Sequence, residues 1–414
     1  MNPSSKAAEE LTDRLVETTC ELLSFNTANP PGETTDIIEF IEDYFKTLGV
    51  DTERITSDPA KPNLVATVPG ASETTLLYLG HVDTVPYDSA KWTFHPLGEI
   101  VDNRVYGRGA TDMKGALAAM MEAVRELVAT TEPLPVTIKL AFVSDEEVSG
   151  DAGLPAVLEQ TTLDADACVI GETTCQYGNY SVTVADRGSL WLTLKASGES
   201  AHGSRPILGE NAIDTLYAAV TDIREKVKSY PQPIPPEVDP IITESVAFYE
   251  PVMGEQTARG LFEKSSVNLG IFEGGNSINT VPDTATARVD IRASPGVDTA
   301  PILKIVQGSV NSHDGVELVD VSRSIGTYES LDSPLIEAIT ETANGVTDSK
   351  IYRRSATGGG DVKTLRNHGV STVEFAFGTD TVHAVDEYIT SDDLMKNTQV
   401  FTRLPFQFAD IVAR

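Results

Sequence analysis

The chain of 414 residues has little cysteine, histidine or basic charge. Its three cysteines, Cys20, Cys168 and Cys175, include no C-x-x-C pair, which argues against a disulfide framework and against a thiolate zinc site. Cys20 and Cys168 lie in apolar patterns typical of core thiols, and Cys175 receives no role. With only six histidines, a histidine with a chemical function must come from a short set of candidates.

Basic residues number 31 against 62 acidic ones, which gives a formal charge of −31. Such a field repels nucleic acid and anionic membrane surfaces, so neither is a predicted partner. A cytoplasm of very high salt would screen this self-repulsion, and a halophilic source is therefore a hypothesis. A fold equally stable in low salt would count against it.

Long apolar runs are also absent. No stretch approaches the roughly 20 apolar residues that span a bilayer. The first residues, MNPSSKAAEELTDRL, are acidic and amphipathic and do not resemble a secretory signal. The sequence therefore predicts a cytoplasmic protein.

Short apolar strands alternate with amphipathic helices between residues 63 and 172. Examples are the strands NLVATV, TLLYLG, VTIKLAFVS and ACVIGE, and the helices MKGALAAMMEAVRELVA and LPAVLEQ. This alternation predicts an α/β fold with a mainly parallel sheet and helices on both of its faces.

The pattern changes near Val182. GSLWLTLKASG and TATARVDIRAS alternate apolar and polar residues, which predicts strands with one face in water. We therefore predict a smaller α+β domain, residues 182–324, inserted into a discontinuous catalytic domain of residues 1–181 and 325–414. The chain length agrees with two domains.

Polar side chains follow three of the apolar strands at the point where each strand ends. His81 and Asp83 follow TLLYLG, Glu146 and Glu147 follow TIKLAFVSD, and Glu172 follows ACVIG. Because the carboxyl ends of parallel strands build the ligand sites of open α/β sheets, we expect these side chains to lie together.

Two further candidates lie in loops. Asp112 occupies YGRGATDMKGA before a helix, and His383 follows the apolar stretch TVEFAFG. Two imidazoles and three carboxylates suit zinc and, less exclusively, cobalt or manganese. The predicted ligands are His81, Asp112, Glu147, Glu172 and His383. Three carboxylates and one hydroxide balance the charge of two divalent ions, so we predict two ions bridged by Asp112.

Asp83 and Glu146 are predicted to support this site. Residues two apart in an extended segment point the same way, so the Asp83 carboxylate can accept a hydrogen bond from the second ring nitrogen of His81. Glu146 and Glu147 are neighbours that project differently. We expect Glu147 to bind metal and Glu146 to act as general base.

Structural explanations compete with these roles. Paired carboxylates are common in so acidic a chain, and a single histidine after a strand more often has a structural role. The coincidence of all five ligand types at strand ends and in loops favours the functional interpretation. GRGATD lacks the third glycine of a dinucleotide loop, and no G-x-S-x-G stretch occurs, so dehydrogenase, kinase and serine-hydrolase functions are disfavoured.

With these residues in place, the chain resembles the dinuclear zinc deacylase and exopeptidase family of acetylornithine deacetylase, succinyl-diaminopimelate desuccinylase, carboxypeptidase G and aminoacylase. The resemblance runs in family order from residue 26 to about residue 390. The matching stretches are NTANPPGE, LGHVDTVP, WTFHPL, VYGRGATDMKGALAA, VSDEEVSG, GETT, SAHGSRP, GENAI, NTVPDTATARVDIR, TGGGD and VHAVDEYI.

The resemblance implies His81, Asp112 and Glu172 around one zinc ion. It implies Asp112, Glu147 and His383 around the second. Both sets agree with the ligands deduced from the strand ends, and the resemblance implies the same roles for the general base and for the residue that supports the first histidine.

The resemblance also gives the inserted domain the role of a lid and dimerisation domain. It implies that His202 stabilises the oxyanion, often in the partner subunit's site, and that Arg292 and Asn279 hold the substrate's carboxylate. Considered alone, His202 is an ordinary turn histidine and Arg292 a charge on a strand face. A glycine run is expected to let backbone amides approach the substrate, though a plain loop explains it nearly as well: Gly358, Gly359 and Gly360.

Together these features predict a homodimeric hydrolase with two Zn²⁺ per subunit, replaceable by Co²⁺ or Mn²⁺. Its predicted substrate is the amide of a small N-acyl amino acid. A dipeptidase or carboxypeptidase of the same family is the alternative, and a non-catalytic binding protein on the same fold is a more remote one.

Overall fold

Two compact units make up the chain in the computed structural model, which describes residues 5–130, 133–161 and 163–414. The large unit contains the described residues of Met1–Val184, Glu329–Arg353 and Gly360–Arg414. The small unit contains Ala185–Tyr328 and Arg354–Gly359. That these units act as a catalytic domain and as a lid or dimerisation domain stays a prediction.

Helices and strands alternate along most of the described chain. The helices are α1 (Ser5–Ser24), α2 (Thr35–Thr47), α3 (Gly115–Val128), α4 (Leu154–Gln160), α5 (Ala212–Ser229), α6 (Asp239–Met253), α7 (Glu255–Glu263), α8 (Ala300–Asn311), α9 (Pro334–Thr347), α10 (Asp361–Asn367) and α11 (Ser391–Val412). The strands are β1 (Asp51–Ile55), β2 (Asn63–Val68), β3 (Thr75–His81), β4 (Glu99–Val101), β5 (Arg104–Tyr106), β6 (Thr137–Val143), β7 (Ala167–Ile170), β8 (Tyr180–Ala185), β9 (Gly188–Ser197), β10 (Ser266–Gly274), β11 (Thr284–Ala293), β12 (Val316–Ser324), β13 (Ile351–Ser355), β14 (Ser371–Glu374) and β15 (Tyr388–Thr390).

An eight-stranded sheet in the order β1-β2-β6-β3-β7-β14-β8-β13 organises the large unit. Its central strands β6, β3, β7 and β14 run parallel, whereas β1, β2 and β8 pair antiparallel. All seven residues of β3 are buried, and successive side chains of a strand point to opposite faces, so both faces of the sheet are covered there. The predicted α/β fold with a mainly parallel sheet is confirmed.

The small unit has an antiparallel sheet in the order β10-β11-β9-β12. Burial alternates strictly along β9, as the sequence pattern predicts. Leu190, Leu192 and Leu194 of β9 are buried in one apolar cluster with Leu216 of α5 and Val306 of α8. The two helices therefore cover one face of this sheet, and the small unit has its own core.

A buried hydroxyl supplies a hydrogen bond that a proline removes from the longest helix of the large unit. Helix α11 contains Pro405, which has no amide hydrogen, so the carbonyl of Phe401 four residues earlier has no intrahelical donor. The hydroxyl of Tyr78, a fully buried residue of β3, donates to this carbonyl oxygen at 2.8 Å. The same contact joins the central strand of the sheet to α11.

The helices of residues 5–130, 133–161 and 163–414 include none with both the length and the apolar character needed to cross a bilayer.

Replacing Tyr78 with phenylalanine removes the donor and leaves the Phe401 carbonyl buried without a partner. We expect the free energy of unfolding to fall by about 1–3 kcal/mol, measured by urea denaturation. In a Pro405→Ala background the new amide supplies the missing helical donor, so Tyr78→Phe should cost less there. Equal losses in both backgrounds would contradict this explanation.

Candidate metal centre

Three adjacent parallel strands bring the candidate ligands to one edge of the large sheet. His81 is the last residue of β3, Glu146 and Glu147 follow β6, and Glu172 follows β7. Strand β3 lies between β6 and β7, so the carboxyl ends of all three strands meet at this edge.

The carboxylate of Asp112 lies between two imidazoles. Its Oδ1 is 3.3 Å from Nε2 of His81, and its Oδ2 is 3.0 Å from Nε2 of His383. Asp112 comes from the turn Ala110–Lys114, which leads into α3, and is itself buried. Each of its oxygens therefore faces a different histidine, which is the arrangement that a bridging ligand requires.

Two glutamates complete the same cluster. Oε1 of Glu172 is 3.3 Å from Nε2 of His81, and Oε2 of Glu147 is 3.4 Å from Nε2 of His383. One ligand atom each of His81, Asp112 and Glu147 lies within 4.8 Å of the others. The structure thus brings all five candidate ligands together, while their role as ligands stays a prediction.

The donor set fits divalent ions. Ligand atoms about 2.0–2.1 Å from a tetrahedral zinc ion lie about 3.3 Å from one another. The contacts between each imidazole and its two carboxylates, 3.0–3.4 Å, match this spacing. Nitrogen and oxygen donors in this mixture suit zinc and also cobalt or manganese.

The electrostatics of the cluster show an excess of acid. Burial raises the pKa of Glu172 well above its usual range, and the charge of Asp112 adds to this effect. Burial also raises the pKa of Glu146. Hydrogen bonds to Asp112 and Glu147 raise the pKa of His383 to about 10. A divalent cation would relieve the repulsion among these carboxylates.

The atom of Asp83 that accepts the hydrogen bond from His81 differs from the predicted one. Its Nδ1 lies 2.9 Å from the main-chain oxygen of Asp83, whereas the Asp83 carboxylate is 3.6 Å away. Since a carbonyl oxygen only accepts, Nδ1 carries a hydrogen, and Nε2 is the ring nitrogen left to bind a metal ion. Asp83 therefore fixes the ring through its backbone rather than through its carboxylate.

The Asp83 carboxylate instead holds the segment that carries the two glutamates. Its oxygens accept the backbone N–H groups of Glu146 and Glu147, both at 3.2 Å. Nδ2 of Asn29 donates to Asp83 at 2.8 Å and to Asp145 at 2.9 Å. Asp83 therefore orients the proposed base and a candidate ligand together.

Buried Asn29 and Asp145 form a network with half-buried Lys61 that sequence reasoning did not identify. Lys61 forms an ion pair with Asp145, and Asn29 links Asp145 to Asp83. The only signal in the sequence was that Asn29 belongs to NTANPPGE, one of the stretches that carry the resemblance.

Glu146 lies beside the cluster but outside its imidazole contacts. In the part of the chain that the structure describes, neither candidate ligand histidine is within ion-pair distance of its carboxylate. A Cβ on Gly360 would lie 2.7 Å from Oε1 of Glu146, so the glycine at 360 gives this carboxylate its space. In contrast, a Cβ on Gly358 would meet nothing within 4 Å. The predicted role of Gly359 stays a prediction.

Five predicted site residues belong to the small unit: His202, Asn279, Arg292, Gly358 and Gly359. Nδ1 of His202 is 2.8 Å from the Ser204 hydroxyl, and the chain next to His202 pairs with Asn279 through a 2.6 Å hydrogen bond between Gly203 N–H and the Asn279 carbonyl. His202 and Asn279 therefore lie in adjoining loops. Their predicted catalytic and substrate-binding roles stay predictions.

Arg292 lies on β11 and is held by its own neighbours. Its Nε donates to both oxygens of Asp290, at 2.8 and 3.1 Å. Its guanidinium carbon is 5.7 Å from the ring centroid of Trp191, and the Trp191 indole N–H donates to Asp290 at 3.0 Å.

Asp112→Asn should severely weaken divalent metal binding, because Asp112 contacts both imidazoles. We expect the affinity for Zn²⁺ to fall at least about 100-fold, since loss of an outer hydrogen-bond partner already costs up to that much. Equilibrium dialysis with atomic emission measures the bound metal. Asp43→Asn, a change of an exposed carboxylate that pairs with Lys46, is the control that should bind normally. Full occupancy in Asp112→Asn would refute the site.

The chain is similar to known proteins over most of its length. The chain is 29% identical over 380 residues to a probable succinyl-diaminopimelate desuccinylase of Staphylococcus epidermidis, covering 88% of this chain and 91% of that protein. It is 28% identical over 379 residues to an acetylornithine deacetylase of Vibrio campbellii, covering 89% and 90%. The crystal structure of an M20 family metallo-carboxypeptidase from Sulfolobus solfataricus has the same fold, with a TM-score of 0.81, 22% identity and coverage of 96% and 100%. The profile of peptidase family M20/M25/M40 matches residues 77–407, and the chain belongs to this family.

Proposed function

We propose that the protein hydrolyses the amide bond of a small N-acyl amino acid with two divalent ions, zinc in the first place and cobalt or manganese as substitutes. The observation that carries this proposal is the Asp112 carboxylate between the imidazoles of His81 and His383, with further carboxylates around them. The names of two relatives that match about nine-tenths of the chain, a desuccinylase and a deacetylase, support the substrate class.

Five residues would hold the ions. His81, Asp112 and Glu172 would hold one, and Asp112, Glu147 and His383 the other, because these are the groups that share ligand distances. When bound, the ions would act as Lewis acids toward the substrate carbonyl and the attacking water.

Glu146 would move the proton. Its carboxylate takes a proton from the attacking water and returns it to the leaving amine, which a neighbouring ligand such as Glu147 cannot do while it binds metal. The backbone N–H of Glu146 is tied to Asp83, so the base has a fixed position before substrate arrives.

The small unit would supply substrate contacts. His202 would stabilise the oxyanion by donating a hydrogen bond, and Arg292 and Asn279 would bind the substrate's carboxylate. The hydrogen bonds from Nε of Arg292 to Asp290 leave the guanidinium in a defined orientation for that task.

A dipeptidase or carboxypeptidase activity is the second candidate. The metallo-carboxypeptidase with the same fold motivates this candidate, although an identity of 22% shows the fold alone. A non-catalytic binding protein is the third candidate, and the presence of Glu146 beside the five grouped candidate ligands speaks against it.

The small unit has an exposed apolar surface that fits the proposed homodimer. Ile207 is 91% exposed, and Ile278 is fully exposed in the neighbouring loop beside Asn279. Exposed apolar side chains in two adjoining loops, on a chain with a charge of −31, favour a protein contact there. The same loops carry His202, which would explain a contribution of this residue to the partner's site.

Glu146→Gln should lower kcat by about 10²–10⁴ while leaving metal content unchanged, because it removes the proton acceptor but no ligand. The measurement is hydrolysis of acetylornithine, succinyl-diaminopimelate and several dipeptides, side by side, with added Zn²⁺ or Co²⁺. Glu159→Gln, a change of an exposed residue of α4, is the control. Faster hydrolysis of dipeptides would favour the peptidase, and metal binding without any hydrolysis would favour the binding protein.

Ile278→Asp should convert the proposed dimer into a monomer, because it places a charge in the apolar contact. Sedimentation velocity distinguishes the dimer from the monomer. Ile100→Asp, at a residue of the large unit that is 54% exposed, should leave the mass unchanged. A monomeric wild-type protein, or a dimer that tolerates Ile278→Asp, would contradict this interface.

A further inference from the structure

A buried ion pair lies next to the backbone segments that carry Asp112 and His383. Nη1 of Arg108 donates to Oε2 of Glu387 at 2.6 Å. Glu387 is fully buried and Arg108 is 5% exposed. Neither residue belongs to the candidate ligands or to the proton path, yet the desolvation of two such charges opposes folding unless their other hydrogen bonds are also satisfied.

The Glu387 carboxylate makes its own remaining hydrogen bonds with the backbone that carries Asp112. Its Oε1 accepts the N–H groups of Thr111 and Asp112, both at 3.0 Å, and its Oε2 accepts the N–H of Gly109 at 3.1 Å. Gly109 has φ of +89°, a conformation that glycine adopts without strain. One carboxylate therefore fixes the turn from residue 109 to residue 112.

Arg108 connects the same pair to the second imidazole. Its Nη2 donates to the main-chain oxygen of His383 at 3.2 Å. His383 has φ of +60°, which is uncommon for a residue with a Cβ and needs support from its surroundings. The bond from Arg108 provides such support at the carbonyl of His383.

We propose that Arg108 and Glu387 are positioning residues that set the separation between the Asp112 carboxylate and the His383 imidazole, and thereby the affinity for divalent ions. This inference rests on the proposed function in so far as those two residues are ligands. Ligand distances must hold to about ±0.2 Å for a metal site, and the pair joins the two backbone segments on which this distance depends.

Glu387→Gln tests the proposal because it keeps the shape of the side chain. The amide oxygen can still accept two N–H groups, but the amide nitrogen then faces donors and Arg108 loses its counter-charge. We expect the apparent Kd for Zn²⁺, measured by competition with a chromophoric chelator, to rise about 10- to 100-fold. Arg108→Lys keeps the charge but lacks the fork that reaches both partners, so it should raise the Kd as well.

Glu122→Gln is the matched control. Glu122 is another fully buried carboxylate, paired with Arg14 and hydrogen-bonded to Thr18 and Tyr44, none of them a candidate ligand. Urea denaturation of the metal-free proteins should show a loss of stability in both glutamine variants. The Kd for Zn²⁺ should change only in Glu387→Gln.

An unchanged Kd in Glu387→Gln and Arg108→Lys, with a loss of stability like that of Glu122→Gln, would overturn the proposal and make the pair merely structural. A wild-type protein that binds Zn²⁺ but hydrolyses no acylated amino acid would count against the proposed function alone. The Kd comparison needs no substrate, so the two failures are distinguishable. If Glu387→Gln does not fold, the Kd of Arg108→Lys decides.

Discussion

The site depends on keeping several carboxylates close together in a buried place where two imidazoles offset only part of their charge. Repulsion and desolvation push the pKa of Glu172 upward, whereas hydrogen bonds to the imidazoles of His383 and His81 keep the pKa of Asp112 low in spite of its burial. Backbone N–H groups, in addition to these two histidines, offset the negative charge around the site. Asp83 accepts two N–H groups and Glu387 accepts three, so the supporting carboxylates are stabilised by fixed dipoles. The candidate ligands themselves are thereby left facing one another, which is the condition under which a cation binds strongly.

The candidate ligands could be found from the sequence because each departs from an apolar pattern at a strand end. Glu172 directly after ACVIG is conspicuous, and so is His81 after TLLYL. The positioning residues gave no such signal. Glu387 lies 275 residues from Asp112, whose backbone N–H it accepts. Almost every residue type offers the same backbone N–H, so the sequence at the donor position does not reveal this contact. Asp83 was recognised for its place near His81, but its carboxylate bonds to amides from another strand end, which spacing alone does not reveal.

Strands and helices could be predicted where the alternation or periodicity of apolar residues was uninterrupted. Strands β9 and β11 alternate strictly and were recognised, whereas β10 was not, because its register shifts between Leu269 and Ile271 and the alternation breaks there. Helix α6 was also missed, and it contains Pro240 and Pro251, which weaken a helical pattern. Helix α11 contains a proline too, and the hydroxyl of Tyr78 supplies the donor that the proline removes.

Arg292 of the small unit, the proposed binding residue for the substrate's carboxylate, is likewise held in place by its neighbours before substrate binds. A free arginine would lose side-chain entropy when it closes on a substrate, and that loss would weaken binding. The Nε of Arg292 is instead committed to Asp290, whose position is in turn fixed by the indole N–H of Trp191. Because the Nε edge is already bonded, an incoming carboxylate would meet an oriented guanidinium and would not have to order it. In each unit, therefore, the neighbours of the polar groups that would meet the substrate already fix the directions of those groups, and a small substrate would then need few contacts of its own.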